Sequence, residues 1–298
     1  MPSIELSLIF VIIGQLLNAV IVLIDKYIVT KTAISRPVVY SFFVGLISSV
    51  ALLLLPFGVI DVPEGKVIWL SLFGGAIFIG SIIFLFSALK VAAATDVVPW
   101  LAAISTITTF LLSFFFLDES LPRSFPYALI LFVIGMLLVG HFRFNSRSFS
   151  LVMVSGILFG FSALIAKLIF NETDFVSGFF WSRMGNVVAA LSLLLWPEVR
   201  FSITESSRNI THKDSFLVVI NRVLGGIALF AILYAIKVGE VSLVNALASL
   251  QFVFIFLLIF LLRHHLRDIY EHEFRPGHVL HKVLSMLFIL AGFFVIFL

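Results

Sequence analysis

Residues 6–28 read LSLIFVIIGQLLNAVIVLIDKYI. From Leu6 to Ile24 there is no charged side chain, and a helix of roughly 20 such residues crosses the hydrocarbon core of a bilayer. No basic region precedes the run and no small-residue cleavage site follows it, so it reads as a first membrane span and not as a cleaved leader. The pattern then recurs. Apolar runs lie at 4–25, 37–57, 67–89, 95–117, 124–142, 149–170, 176–197, 215–237, 241–262 and 279–298, which predicts ten transmembrane helices. Short polar segments separate them, among them Asp61-Val62-Pro63-Glu64-Gly65 and Asn145-Ser146-Arg147-Ser148. The runs are twice as long as a barrel strand needs and lack two-residue alternation, so the expected class is all-α integral membrane.

Composition agrees. The 298 residues are 61% hydrophobic and 12% charged, with a mean hydropathy of +1.21. Soluble domains are about half apolar and about a quarter charged, and could not wet so apolar a surface. With no cysteine there is no disulfide framework and no thiolate metal site. A net charge of +3 gives no sign of a nucleic-acid partner, and no Walker phosphate loop is present to make ATP the driver. Trp69, Trp100 and Trp196 fall near run ends, where amphipathic rings prefer the headgroup layer. The linker 198–214 reads as a solvated loop. In 263–278 the spacing of Leu266, Ile269, Tyr270 and Phe274 predicts a short surface helix stopped at Pro276-Gly277.

The two halves resemble each other. At an offset of 141, Leu23-Ile24-Asp25-Lys26-Tyr27-Ile28 lies over Leu164-Ile165-Ala166-Lys167-Leu168-Ile169, and Tyr40-Ser41 lies over Trp181-Ser182. Leu52-Leu53-Leu54-Leu55-Pro56 likewise lies over Leu193-Leu194-Leu195-Trp196-Pro197. At an offset of 147, Ser87-Ala88-Leu89-Lys90-Val91 lies over Tyr234-Ala235-Ile236-Lys237-Val238. The aligned lysines and prolines carry the argument, because leucines match by chance. Residues 1–142 and 149–298 are therefore read as two five-helix repeats in one structural unit. Five crossings end on the opposite side from the start, so the second repeat is inverted, the plan that places a substrate between the halves in secondary transporters. Lys26 and Lys167 should then lie near opposite membrane faces.

With this repeat, several local motifs resemble those of the ten-helix branch of the drug/metabolite transporter superfamily, the EamA-type permeases. They are Gly160-Phe161-Ser162-Ala163-Leu164-Ile165-Ala166-Lys167, Trp181-Ser182-Arg183-Met184, Ser87-Ala88-Leu89-Lys90 with Tyr234-Ala235-Ile236-Lys237, and Leu117-Asp118-Glu119-Ser120-Leu121. The resemblance covers essentially the whole chain. It implies a secondary transporter without a bound cofactor, sitting in the cell membrane and moving a small solute such as an amino acid or other metabolite. The chain departs from the pattern where the family often carries proline, at Thr106 and Gln251, and where an acidic residue is expected, at Arg263-His264-His265.

Polar residues inside apolar runs are expensive and mark candidate sites. Arg183 stands deep in its run with Asn186 one turn on, which suits an anionic or zwitterionic group, or else a structural arginine that snorkels. Gln15 and Asn18 share an arc of the first helix and could line a cavity, and Asp25 and Lys26 read as an end-of-helix pair. Tyr40, Trp181, Asn245 and Gln251 complete the candidate substrate-binding set, and Asn245 equally suits interhelical hydrogen bonding with Ser242 and Ser249. Arg222, beside Asn221, reads as a packing and snorkelling residue, with Gly225-Gly226 allowing another helix close. His264, His265, His272, His278 and His281 form a histidine-rich stretch without diagnostic ligand spacing, and no metal is assigned. It is the one place where a membrane enzyme would find its groups; a lipid flippase is the third reading.

Loops one, three, five, seven and nine hold thirteen Lys and Arg against four in the even loops. The positive-inside rule puts the odd loops in the cytoplasm and both termini outside. The family resemblance implies termini inside. A substrate, a driving solute or ion gradient and the bilayer are the expected partners; oligomeric state is not readable.

Overall fold

The computed structural model describes residues 2–31, 36–92, 94–117, 119, 121–139, 146–209, 212–261 and 276–296. Among these there is no strand. The helices are α1 Pro2–Lys31, α2 Pro37–Ile47, α3 Gly65–Val91, α4 Ala94–Phe116, α5 Phe125–Val139, α6 Ser146–Glu172 and α7 Phe175–Ser192. They continue with α8 Pro197–Asn209, α9 His212–Val238, α10 Val241–Ala246, α11 Leu250–Leu261 and α12 Pro276–Val295. Turns of 3₁₀ helix extend α2 over Ser48–Phe57 and α7 over Leu193–Leu195, and Leu247–Ser249 joins α10 to α11. Among the described residues, eight segments are long and apolar enough to cross a membrane, and two shorter apolar helices, Phe125–Leu138 and Val283–Val295, accompany them. The chain is a multi-pass, all-α membrane protein by this measure.

Local chemistry explains the breaks. Pro37 sits in the first turn of α2, where a missing N–H costs nothing. Pro56 falls inside the 3₁₀ extension, and Gly58 ends it at φ 64°, a left-handed backbone that side chains resist. Asp174 caps α7, its carboxylate accepting from the Val176 and Ser177 N–H groups at 2.7 and 3.1 Å. Burial alone would raise the Asp174 pKa, but hydrogen bonding from the Ser177 side chain and from backbone N–H groups outweighs it and holds the carboxyl below its ordinary range.

The linker after α7 corrects the sequence reading. Residues 197–209 form helix α8, with Pro197 and Glu198 in its first turn and Ile203 buried in the main core. Val199 and Ile203, one turn apart, give that polar segment an apolar edge to dock. Arg36 holds it from outside, pairing with Glu205 at 3.0 Å and donating to Ser202. The predicted surface helix and most of the histidine stretch lie outside the described residues; Pro276-Gly277 open α12.

Packing is inside-out relative to a soluble protein. Phe114, Phe115, Trp69, Tyr127, Leu195 and Phe294 face outward, as lipid-facing side chains do. Two apolar clusters form the interior. One gathers the C-terminal halves of α1 and α3 with α2, the start of α4 and part of α11; the other gathers α5, α10, α12 and the opposite halves of α1, α4 and α9. The principal pairings are α3 on α6, α1 on α9, α5 on α12, α3 on α7 and α4 on α6.

Candidate functional site

Where α3 and α7 cross, Gly75 and Gly185 let the two backbones touch. A Cβ on Gly75 would overlap the Gly185 backbone, and one on Gly185 would overlap the Ser71 carbonyl. From α2, Gly45 approaches Ala190, Ile79 and the Asn186 carbonyl. These positions fall near the middle of all three segments. Such small-residue crossings are the usual way membrane helices gain packing energy.

Arg183 and Asn186 flank that crossing on α7. Arg183 is only 7% exposed, and no hydrogen bond or ion pair reaches it from the described residues. Its guanidinium lies 5.5 Å from the ring centre of Phe78 and 5.7 Å from that of Phe179. Phe78 is itself backed edge-on by Phe159 of α6. Asn186 is buried and its Nδ2 has no partner among the described residues. A charge in this position costs about 3 kcal/mol on insertion scales. Desolvated aromatic faces return about 2 kcal/mol. Among the described residues, nothing takes up the N–H donors of the guanidinium fork. Chemically, the arrangement can grip a planar anion such as a carboxylate in two parallel hydrogen bonds.

The other candidates are engaged differently. Asn245 donates to the Ser105 carbonyl and hydroxyl and to Thr109, while its own carbonyl accepts from Thr106; these bonds tie α10 to α4. Gln251 Nε2 donates to the Asn18 carbonyl at 3.2 Å, joining α11 to α1. Gln15, on the same α1 arc, is buried with Oε1 unpartnered. Trp181 Nε1 donates to the Asp61 carbonyl at 3.1 Å, and the Asp61 N–H donates to Ser177. The loop before α3 is thereby held against the start of α7, and Lys66 pairs with Glu172 beside it. A cavity of about 340 Å³ opens there, lined by Asp61, Glu64, Asn171, Asp174 and Ser177 among others. Among the described residues, no hydrogen bond or ring contact joins Gln15, Asn18 and Gln251 to Arg183.

Tyr40 belongs to a second polar centre. Its hydroxyl donates to Asp25 Oδ1 at 2.5 Å, and Asn221 Nδ2 donates to the same oxygen at 2.6 Å. Arg222 Nη2 forms an ion pair with that oxygen and also donates to the Tyr40 hydroxyl at 2.7 Å. The guanidinium carbon lies 5.0 Å from the Tyr40 ring centre. This network overturns two expectations. Asp25 does not pair with Lys26, whose ammonium instead donates to the Leu89 and Ala92 carbonyls at the end of α3. Arg222 does not snorkel, because a buried carboxylate on α1 satisfies it more cheaply than a path to the interface. Gly225 and Gly226 also differ from expectation: nothing among the described residues lies within 4 Å of a Cβ at either, so no described helix packs there. Two opposite charges inside separate spans were the signal that could have paired Asp25 with Arg222. Nothing in the sequence singled out Phe78 and Phe179 among 35 phenylalanines.

Lys26 has a counterpart. Lys167 Nζ donates to the carbonyls of Ile236 at 3.0 Å and Gly239 at 2.6 Å, at the end of α9. Lys237 does the same for α6, donating to the carbonyls of Phe170 and Thr173.

No family model matches the chain, and no curated protein matches it in sequence. In structure it resembles a solved protein described only as "Crystal structure of protein", with a TM-score of 0.65 and 16% identity. That likeness covers 99% of this chain and 96% of the other, so what the two share is a fold.

Proposed function

We propose that this protein is a secondary transporter in a cell membrane, built as ten spans in two inverted five-helix repeats of the drug/metabolite transporter kind. It moves a small solute with an anionic or zwitterionic group, such as an amino acid, by alternating access. Arg183 carries the reading. A guanidinium buried at mid-height, with its donors unspent among the described residues, carries a desolvation cost that its two aromatic faces offset only in part and that a visiting anion would complete. Asn186 adds a second free donor on the same face.

The repeat draws support from the lysine contacts. Lys26 and Lys167 differ by the offset of 141, and their acceptors, Leu89 and Ala92 against Ile236 and Gly239, differ by 147. Each lysine sits near the end of its own helix and takes up the last carbonyls of another, at opposite ends of the bundle in an inverted arrangement. The pairings of α1 with α9 and α3 with α6 are related by the same exchange. The charge count places the odd loops in the cytoplasm.

The test is a thermal-shift screen of purified protein in detergent against amino acids, nucleotide sugars, polyamines and quaternary amines, with Arg183→Met alongside. A ligand at 100 times its dissociation constant stabilises by about 2.7 kcal/mol. A carboxylate-bearing solute should raise the melting temperature of the native protein and not of the variant, and should accumulate in proteoliposomes. Equal shifts in both proteins sink the assignment of Arg183.

A further inference from the structure

We propose that Asp25 is a proton-binding site that couples to transport, its charge state deciding whether α9 stays joined to α2. This rests on the transporter reading and adds a coupling ion to it. The argument starts from the two equivalent closures. With the offset of 147, Gly74 and Gly75 of α3 correspond to Asn221 and Arg222 of α9; with that of 141, Tyr40 of α2 corresponds to Trp181 of α7. In one half, α3 meets α7 backbone to backbone across Gly75 and Gly185. In the other, no comparable packing joins α2 to α9 among the described residues. What joins α9 to α2 at that level is the Asp25, Tyr40, Asn221 and Arg222 cluster, while α1 and α9 also pack directly on each other. A dispersion contact has no switch. A buried ion pair has one, because adding one proton to the carboxylate removes its attraction for the guanidinium.

The geometry favours a proton over a metal cation. All three donors converge on Oδ1, and among the described residues Oδ2 receives none, so it is the atom open to protonation. A metal cation would meet the Arg222 guanidinium in the same cluster. On protonation the O–H bond forms at Oδ2 and the cluster passes from neutral to a single positive charge. Arg222 keeps its proton but loses its carboxylate partner, and among the described residues only the bonds of Arg222 and Asn221 to the Tyr40 hydroxyl are left to join α9 to α2, with no counter-charge for the guanidinium. The surroundings offer no substitute. Among the described residues, Arg222 from α9 is the charge paired with Asp25, and α2 presents Tyr40. Phe86 of α3 stacks on Tyr40, and the apolar cluster that holds Tyr40 includes Leu89 of α3 and Ile255 and Ile259 of α11. Lys26 on α1 is committed to the α3 carbonyls.

The test needs no substrate. The chain has no cysteine, so Val91→Cys and Val219→Cys, both at exposed positions on α3 and α9, can carry spin labels. Double electron–electron resonance in nanodiscs would compare pH 8 with pH 5. The native background should gain a longer α3–α9 distance at pH 5; Asp25→Asn should show that longer distance at both. Asp25→Asn/Arg222→Gln, which leaves no buried charge, covers the case in which the single variant does not fold, and it should not respond to pH. A native distribution indifferent to pH overturns the proposal, as does a pH response surviving in either variant. Because Arg183-dependent solute binding is measured separately, loss of one result leaves the other standing.

Discussion

Arg183 and Arg222, both inside membrane spans, are largely withdrawn from solvent, yet the fold treats them in opposite ways. Arg222 meets a carboxylate, a phenol and an amide from two other helices. Arg183 meets two phenyl rings and no acceptor among the described residues. The first is an ion pair whose members were buried together, so it stabilises the fold relative to losing either one. The second is a charge left without its complement. Depth in the membrane is therefore a poor guide to an arginine's role; the partner decides it.

The sharpest way to break this contrast is Arg222→Ala, which strands the Asp25 carboxylate. It should cost about 3–5 kcal/mol, read as a fall in the unfolding temperature in detergent. Asp25→Leu/Arg222→Met should recover most of that loss, since apolar replacement of both partners is often neutral. Gly185→Ala comes next: its methyl must displace the Ser71 carbonyl, so α3 and α7 part and about 1–3 kcal/mol is lost. If the crossing is what keeps Arg183 between its rings, solute binding falls with it. Asp174→Ala, at the cap of the helix that carries Arg183, should cost about 1 kcal/mol. Because the folded-state pKa of Asp174 is lowered, its contribution is present above the ordinary carboxylate range and lost as pH falls through the folded value. An acid titration of native and variant protein should show the two converging there. The smallest effect on stability belongs to Arg183→Met, within about 1 kcal/mol of the native protein or above it, since only ring contacts are lost. A large destabilisation by Arg183→Met would erase the distinction between the two arginines and make both structural.

Much of the fold was legible residue by residue. The eight long apolar helices coincide with predicted runs, and the two shorter ones fall inside the remaining two. The polar segment at 197–209 was misread as loop because its docking edge, Val199 and Ile203, is two residues wide and carries little periodicity. Arg183 and Asn186 stood out from an apolar background. Their rings did not, nor did the fact that Asn245 spends its amide on α4.

The sequence by itself determined that this chain lives in a membrane as helices, because run length and side-chain transfer free energy are local properties that need no partner. It also named the polar residues whose burial would need a reason. Only the tertiary structure decided which of them found one. Asp25 and Arg222 lie 197 positions apart in the chain yet share an oxygen, while Lys26, next to Asp25, turns to another helix. Pairing in a bundle depends on how helices cross, and crossings are set by small residues and packed rings whose spacing along the chain carries no address for their partners.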